Sequence, residues 1–151
     1  TPNKFWVILF RRAMIRLSSM IADKIDSPAL ISGESVGQVA SQTLSNIRAT
    51  SDATDLPIIR PLAGLNKEDI VRKAVEIGTY EISIEPYDDC CSFFVPIHPE
   101  TKADLETVRK IENKIKFGDM FKIALESASF NTIEHPDYVN QSIHKLEKSH
   151  D

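Results

Sequence analysis

The 151 residues carry a formal net charge of −4, with 42% apolar and 26% charged side chains, the balance of a soluble globular protein able to bury roughly two-thirds of its unfolded surface. The acidic balance excludes a global basic footprint for nucleic acid, so any such contact rests on a local patch or a partner domain. The longest apolar run, Phe5 to Phe10, is too short to cross a bilayer, and no signal peptide or membrane span is visible. Cys90 and Cys91 are adjacent, which is no secreted disulfide framework and points to a reducing, cytoplasmic setting.

In chain order, Phe5-Trp6-Val7-Ile8-Leu9 reads as a buried strand, and Phe10, Met14, Leu17, Ile21 and Ile25 follow at helical spacing on one face. Asp26-Ser27-Pro28 ends that helix. Ala29 to Ser32 is a short buried strand, the Gly33 turn follows it, and a helix is expected to about Asn46. Leu56 to Pro61 reads as a strand flanked by prolines, at an edge or a strand end. Asn66 caps a helix with Ile70, Ala74 and Ile77 on its core face, and Gly78 ends it. Tyr80 to Pro99 reads as a structured loop with an extended piece at Phe93-Phe94-Val95. Thr101 with Asp104 starts a helix carried by Leu105, Val108, Ile111 and Ile115, Gly118-Asp119 interrupts it, and Met120, Ile123 and Ala124 continue a second face. The pattern decays past Phe130, and a polar tail from about Asn140 is expected to fray. Alternating strands and helices of these lengths predict a parallel α/β sheet flanked by helices, with a helical carboxyl-terminal part.

The segment Gly33-Glu34-Ser35-Val36-Gly37-Gln38-Val39-Ala40-Ser41-Gln42-Thr43 behind an apolar strand suggests a nucleotide site, because such a turn presents bare backbone at the carboxyl edge of a sheet. The same pattern also occurs in ordinary β-to-α turns. Arg11 or Arg12 can reach a phosphate or a base in the adjoining cleft, or lie solvated on the surface. Gln42, nine residues after Gly33, can turn its amide back over the strand edge or simply face solvent. Glu34 and Asp55 can hold a metal or cap a turn, and their spacing forces neither.

Cys90 and Cys91 follow Asp88-Asp89 in a polar loop, a poor place to bury two small apolar side chains. The acids raise a thiol pKa, so a nucleophilic Cys90 needs a helix end or a cation to favour its thiolate. Two adjacent cysteines with His98 lack the spaced pairs of a zinc site, and a vicinal disulfide closes a cramped ring. Sulfur transfer through a persulfide on one exposed cysteine, with the other able to resolve it, fits better than a structural role.

Three collinear stretches, Gly33 to Thr43, Asp55-Leu56-Pro57-Ile58-Ile59-Arg60-Pro61-Leu62, and Ile77-Gly78-Thr79 to Asp89-Cys90-Cys91, together resemble the tRNA 4-thiouridine synthetase (ThiI) family over about residues 5–100. The resemblance implies an adenine-nucleotide-hydrolase-like, Rossmann-like fold, of which residues 1–139 would be the carboxyl-terminal portion of an ATP-pyrophosphatase (PP-loop) domain and 140–151 a flexible tail. It implies ATP with Mg2+, adenylation of a tRNA uridine at O4, and displacement of AMP by a protein persulfide to give 4-thiouridine; the family is also linked to sulfur supply for the thiamine thiazole. Arg11, Gly33 and Gln42 match the family's nucleotide contacts, and Cys90 its sulfur-bearing cysteine, with Cys91 the alternative in register.

The family's Ser-Gly-Gly-x-Asp-Ser loop and RNA-binding region, including the THUMP domain, are expected ahead of Thr1, and no rhodanese-like domain is expected after the tail. The implied partners are tRNA, through that amino-terminal region, and a cysteine desulfurase as sulfur donor. Homo-oligomerisation or pairing with an amino-terminal half is expected through an exposed sheet edge. The isolated chain is expected to be inactive as part of a sulfurtransferase; the alternative is a non-catalytic structural or interaction remnant of that domain.

Overall fold

Phe5, Ile8, Leu9 and Arg12 lie at positions i, i+3, i+4 and i+7, the spacing of one helix face, and all four are buried. That face decides the first element. In the computed structural model, which describes residues 2–86 and 98–130, Phe5–Leu9 is no strand: a short 3₁₀ turn at Asn3–Phe5 leads into one helix, α1 (Trp6–Lys24). A continuous apolar run fits a buried strand and a buried helix turn equally well by periodicity, and here packing makes the choice. The expected apolar stripe is displaced too, since Met14 and Ile25 are 41% and 58% exposed while Ile8 and Arg12 are enclosed.

Beyond α1 the chain runs β1 (Leu30–Ile31), α2 (Leu44–Ser51), β2 (Ile58–Ile59), α3 (Lys67–Glu76), α4 (Tyr80–Ser83), α5 (Leu105–Glu112) and α6 (Phe117–Glu126). The predicted parallel sheet is present: β1 and β2 pair in parallel, Leu30 opposite Ile58 and Ile31 opposite Ile59. Leu30 N–H donates to Pro57 C=O and Ser32 N–H to Ile59 C=O, both at 2.9 Å. Ile31 is 76% exposed rather than buried, because among the described residues nothing covers its face. Among those residues no helix is long and apolar enough to cross a membrane.

Helix starts follow cap chemistry. Asn66 accepts from Asp69 N–H at 2.9 Å, as its sequence position predicts. Thr43, not the Gly33 turn, starts α2 by accepting from Asn46 N–H. Residues 33–39 are irregular, with Val39 extended and one 3₁₀ turn at Ala40–Gln42. Asp104, rather than Thr101, caps α5 through Thr107 N–H at 2.8 Å. The break before the last helix falls at residues 113–116, and Gly118 sits inside the first turn of α6. Gly78 ends α3 at φ +76°, the left-handed geometry that favours glycine. Ile77 is 70% exposed and contributes no core face. The segment read as one long loop contains the short helix α4. Cys90, Cys91, the Phe93-Phe94-Val95 piece and the 140–151 tail lie outside the described residues.

The core joins α1, α2 and α5 through Phe5, Ile8, Leu9, Ala49, Ala103 and Val108. A completely buried cation, Arg12, runs through its edge. Its Nη1 donates to Ala49 C=O in the last turn of α2 and to Asp52 at 3.2 Å; Nη2 donates to Glu112 at 2.7 Å. Arg16 adds two hydrogen bonds to Glu112 at 3.0 and 2.8 Å, and Arg109 grips Asp52 from α5. A charge removed from water is tolerable only when paired and hydrogen-bonded in this way.

Burial raises the Glu112 carboxyl, but hydrogen bonds from Arg16 and Arg12 outweigh it and hold the group at about 2, below its ordinary 4.5. A carboxyl lowered by folding stabilises fully above its unfolded pKa and loses that contribution as pH falls through the folded one. We therefore expect a contribution on the order of 3 kcal/mol, lost progressively below about pH 4.5. Glu112→Gln should lower unfolding free energy near neutral pH by about 3 kcal/mol or more, because it strands Arg12. It should also flatten the acid limb of a stability–pH profile; urea unfolding at several pH values reads both.

Candidate functional site

Adjacent residues on a helix point about 100° apart, and Arg11 and Arg12 use that difference. Arg12 enters the core, while Arg11 faces the carboxyl edge of β1, where its Nη2 donates to Glu34 and its Nη1 approaches Ser41 Oγ at 3.5 Å. Glu34 is 4% exposed. Its second oxygen accepts from Arg60 Nε at 2.6 Å. Arg60 follows β2 and is itself held by Ser51 Oγ at 2.7 Å and Ile58 C=O at 3.3 Å.

The turn after β1 is fixed from both sides. Ser35 Oγ donates to Leu65 C=O at 2.8 Å, and Val36 N–H donates to Ala63 C=O at 3.0 Å. Gly37, at φ +78°, donates its N–H to Gln42 C=O at 2.9 Å. The Gln42 side chain folds back and accepts from Ser35 N–H at 3.3 Å. Gln42 therefore lies over the strand edge, in the direction its sequence position suggests.

Gly33 is a different case. It has no positive φ, and a Cβ built on it would meet nothing within 4 Å. Neither backbone conformation nor packing within the described residues requires glycine there, and the space beside it is open.

Two cavities share Arg11 as a wall. One, of about 370 Å³, lies between the first turns of α1 and residues 39–42, with Val7, Ile8, Val39 and Ala40 supplying an apolar lining and Arg11 and Gln42 the polar groups. Lys4 and Glu100 close its far side with an ion pair of 2.7 Å. The hydrogen bond from Lys4, with help from Lys102 N–H, holds the Glu100 carboxyl below its usual range. The other cavity, about 250 Å³, runs under Arg11 and Glu34 along Met14, Leu30 and Ile58. A third, open groove of about 620 Å³ lies at the opposite end of α1 against Leu56 and Phe121, away from the strand carboxyl edge where α/β ligands bind.

The structure thus brings Arg11 and Gln42 onto one cavity and puts Gly33 at the same strand edge. Asp55 stands apart, lining the distant groove. Glu34 is no open metal ligand, since arginines occupy both oxygens. Among the described residues no group of three or more His, Cys, Asp or Glu side chains converges.

Two contributors were not singled out from sequence. Arg60 occupies the carboxyl end of a predicted strand, a position that could have marked it. Asn46, fully buried, gave no signal beyond its place at the expected end of a helix. Its Nδ2 donates to Ala40 C=O at 2.8 Å and Glu100 C=O at 2.6 Å, and its Oδ1 accepts from Ala103 N–H at 3.0 Å. One amide therefore ties the two walls of the apolar cavity together.

A parallel strand pair flanked by helices, with Arg11 and Arg60 meeting Glu34 at its carboxyl edge, defines an α/β protein. The family model described as thiamine biosynthesis protein (ThiI) matches residues 1–117, and the chain belongs to the ThiI family. It is similar to a probable tRNA sulfurtransferase of Moorella thermoacetica, 43% identical over 133 residues, covering 88% of this chain and 34% of that protein. The corresponding protein of Thermoanaerobacter sp. is 49% identical over 116 residues, covering 77% and 30%. A crystal structure of a 4-thiouridine synthetase–RNA complex with bound ATP superposes with a TM-score of 0.81 at 42% identity, covering 89% of this chain and 35% of that one. The chain spans about a third of the length of the curated relatives it matches.

Replacing Asn46 with alanine takes the side-chain partner from one buried backbone group, Ala103 N–H, and from two half-buried carbonyls, those of Ala40 and Glu100, at about 1–3 kcal/mol for a buried group left unsatisfied. We expect Asn46→Ala to lower unfolding free energy by about 3 kcal/mol or more, measured by urea denaturation.

Proposed function

We propose that the chain is the carboxyl-terminal part, over residues 1–139, of the ATP-pyrophosphatase domain of a tRNA sulfurtransferase that makes 4-thiouridine. The observation that carries the reading is the convergence of Arg11 and Gln42 on one largely apolar cavity between α1 and residues 39–42, with Gly33 open next to Glu34, the partner of Arg11. These residue types suit a nucleotide: a guanidinium for phosphate oxygens or a base edge, an amide for hydrogen bonding, and bare backbone for close approach. The ATP and RNA bound by the structural relative support ATP and tRNA as ligands of the complete protein.

In this reading ATP activates a tRNA uridine at O4, and a persulfide on Cys90 displaces AMP; Cys91 stands next to it as a second thiol. A cysteine desulfurase supplies the sulfur, in the cytoplasm, and thiazole sulfur supply is a second outlet of the same persulfide. Mg2+ accompanies ATP in the family pattern, but the described residues offer no set of ligands for it, so no step is assigned to them through a metal. The isolated chain is expected to make no 4-thiouridine, because it spans about a third of the curated relatives.

Incubation with a cysteine desulfurase and cysteine should add sulfur to the chain, seen by intact-mass analysis, and Cys90→Ser should abolish the addition. Labelling that survives this change and disappears in Cys91→Ser would move the role by one residue; labelling independent of both would sink it. The uncovered face of β1 at Ile31 supports association through that edge. Sedimentation should show self-association, and a compact monomer at all concentrations would count against it.

A further inference from the structure

Three charged side chains meet at the carboxyl edge of the strand pair, and their bonding is asymmetric. Glu34 gives one oxygen to Arg11 and the other to Arg60, so two cations surround one buried anion. Each nitrogen of the Arg60 guanidinium has a partner: Nε on Glu34, Nη1 on Ile58 C=O and Nη2 on Ser51 Oγ. Arg11 does not. Its Nη2 is on Glu34, its Nη1 has only the 3.5 Å contact to Ser41, and its Nε is buried without a hydrogen-bond partner. A buried donor left unmade is costly, and a local excess of positive charge beside a cavity attracts an anion.

We propose that Glu34 and Arg60 are positioning residues that hold the Arg11 guanidinium against the phosphate of a bound nucleotide; the role rests on the nucleotide reading above. Arg60 is the anchor, pinned to the end of β2 and to α2. Glu34 transmits that anchor to Arg11, and the long, otherwise mobile arginine is held in one orientation before ligand arrives. Fixing a guanidinium in advance removes side-chain entropy that binding would otherwise cost. A planar fork makes orientation matter more than charge alone.

Positioning and simple charge compensation predict opposite signs. If Glu34 merely neutralised the arginines, Glu34→Gln would raise the local positive charge and tighten anion binding. If it positions Arg11, the same change frees the guanidinium and weakens binding of a phosphate-bearing ligand, while a ligand without phosphate is unaffected. A loss of structure would weaken both ligands alike.

The test is titration of the full chain with ATP and, separately, with adenosine, following the Arg11 Nε–H resonance by NMR and affinity by calorimetry. The wild type should shift Arg11 Nε–H with ATP. Glu34→Gln and Arg60→Gln should each weaken ATP binding about tenfold, a loss of about 1.4 kcal/mol, and change adenosine binding less than about twofold. ATP affinity that is unchanged or tighter in both variants overturns the positioning role and leaves the nucleotide site standing. A wild type that binds neither ligand overturns the nucleotide reading and this role with it. If Glu34→Gln loses adenosine binding as well, Arg60→Gln, which leaves the Arg11–Glu34 pair intact, decides the matter by the same criteria.

Discussion

Arg12 is a cation with no solvent exposure, and the arrangement of α1, α2 and α5 depends on how its charge is answered. Two helices contribute three groups: the carbonyl of Ala49 in the last turn of α2, Asp52 at its carboxyl cap, and Glu112 on α5. Carbonyls at a helix end carry partial negative charge and favour a cation there. Because a buried guanidinium needs all of these partners at once, α2 and α5 cannot slide along α1 without stranding it. The apolar cluster around Ile8 and Val108 supplies the non-directional part of the packing, and Arg12 supplies its register.

The cleft inherits that register. Arg11 is the next residue on the same helix, so fixing Arg12 in the core fixes the direction from which Arg11 approaches β1. The Asn46 amide then sets the spacing of the cavity walls, and the Glu34–Arg60 pair sets the orientation of the guanidinium. Core and site are coupled through one turn of α1. The consequence is that substitutions at Glu112 in the core, or at Asn46 behind the cavity walls, act on the geometry that Arg11 presents.

Much of the strand–helix order was legible in the residues. Ala29–Ser32 and Leu56–Pro61 bracket the two strands, and Asn66 caps α3 as its side chain predicts. Gly33 and Gln42 could be singled out because turn chemistry and residue type are local properties, whereas residue type left Arg11 and Arg12 equivalent and only the family resemblance favoured Arg11. Phe5–Leu9 was misread because a run without polar residues has no period to distinguish strand from helix. The start of α2 was misplaced because the small polar residues after Gly33 are neutral toward helix and turn, and hydrogen bonds donated by Val36 N–H to Ala63 C=O and by Ser35 Oγ to Leu65 C=O hold them irregular.

The amino-acid sequence by itself determined the class of fold, the family and the identity of the residues at the strand edge, since strand termini, caps and collinear motifs are written in neighbouring positions. The tertiary structure alone decided which of two adjacent arginines enters the core and which faces the cleft. It also decided that Glu34 binds arginines rather than a metal, and that Arg60 and Asn46 take part in the cleft. Those outcomes depend on partners 23 to 100 residues away in the chain, and no local pattern carries information across such separations.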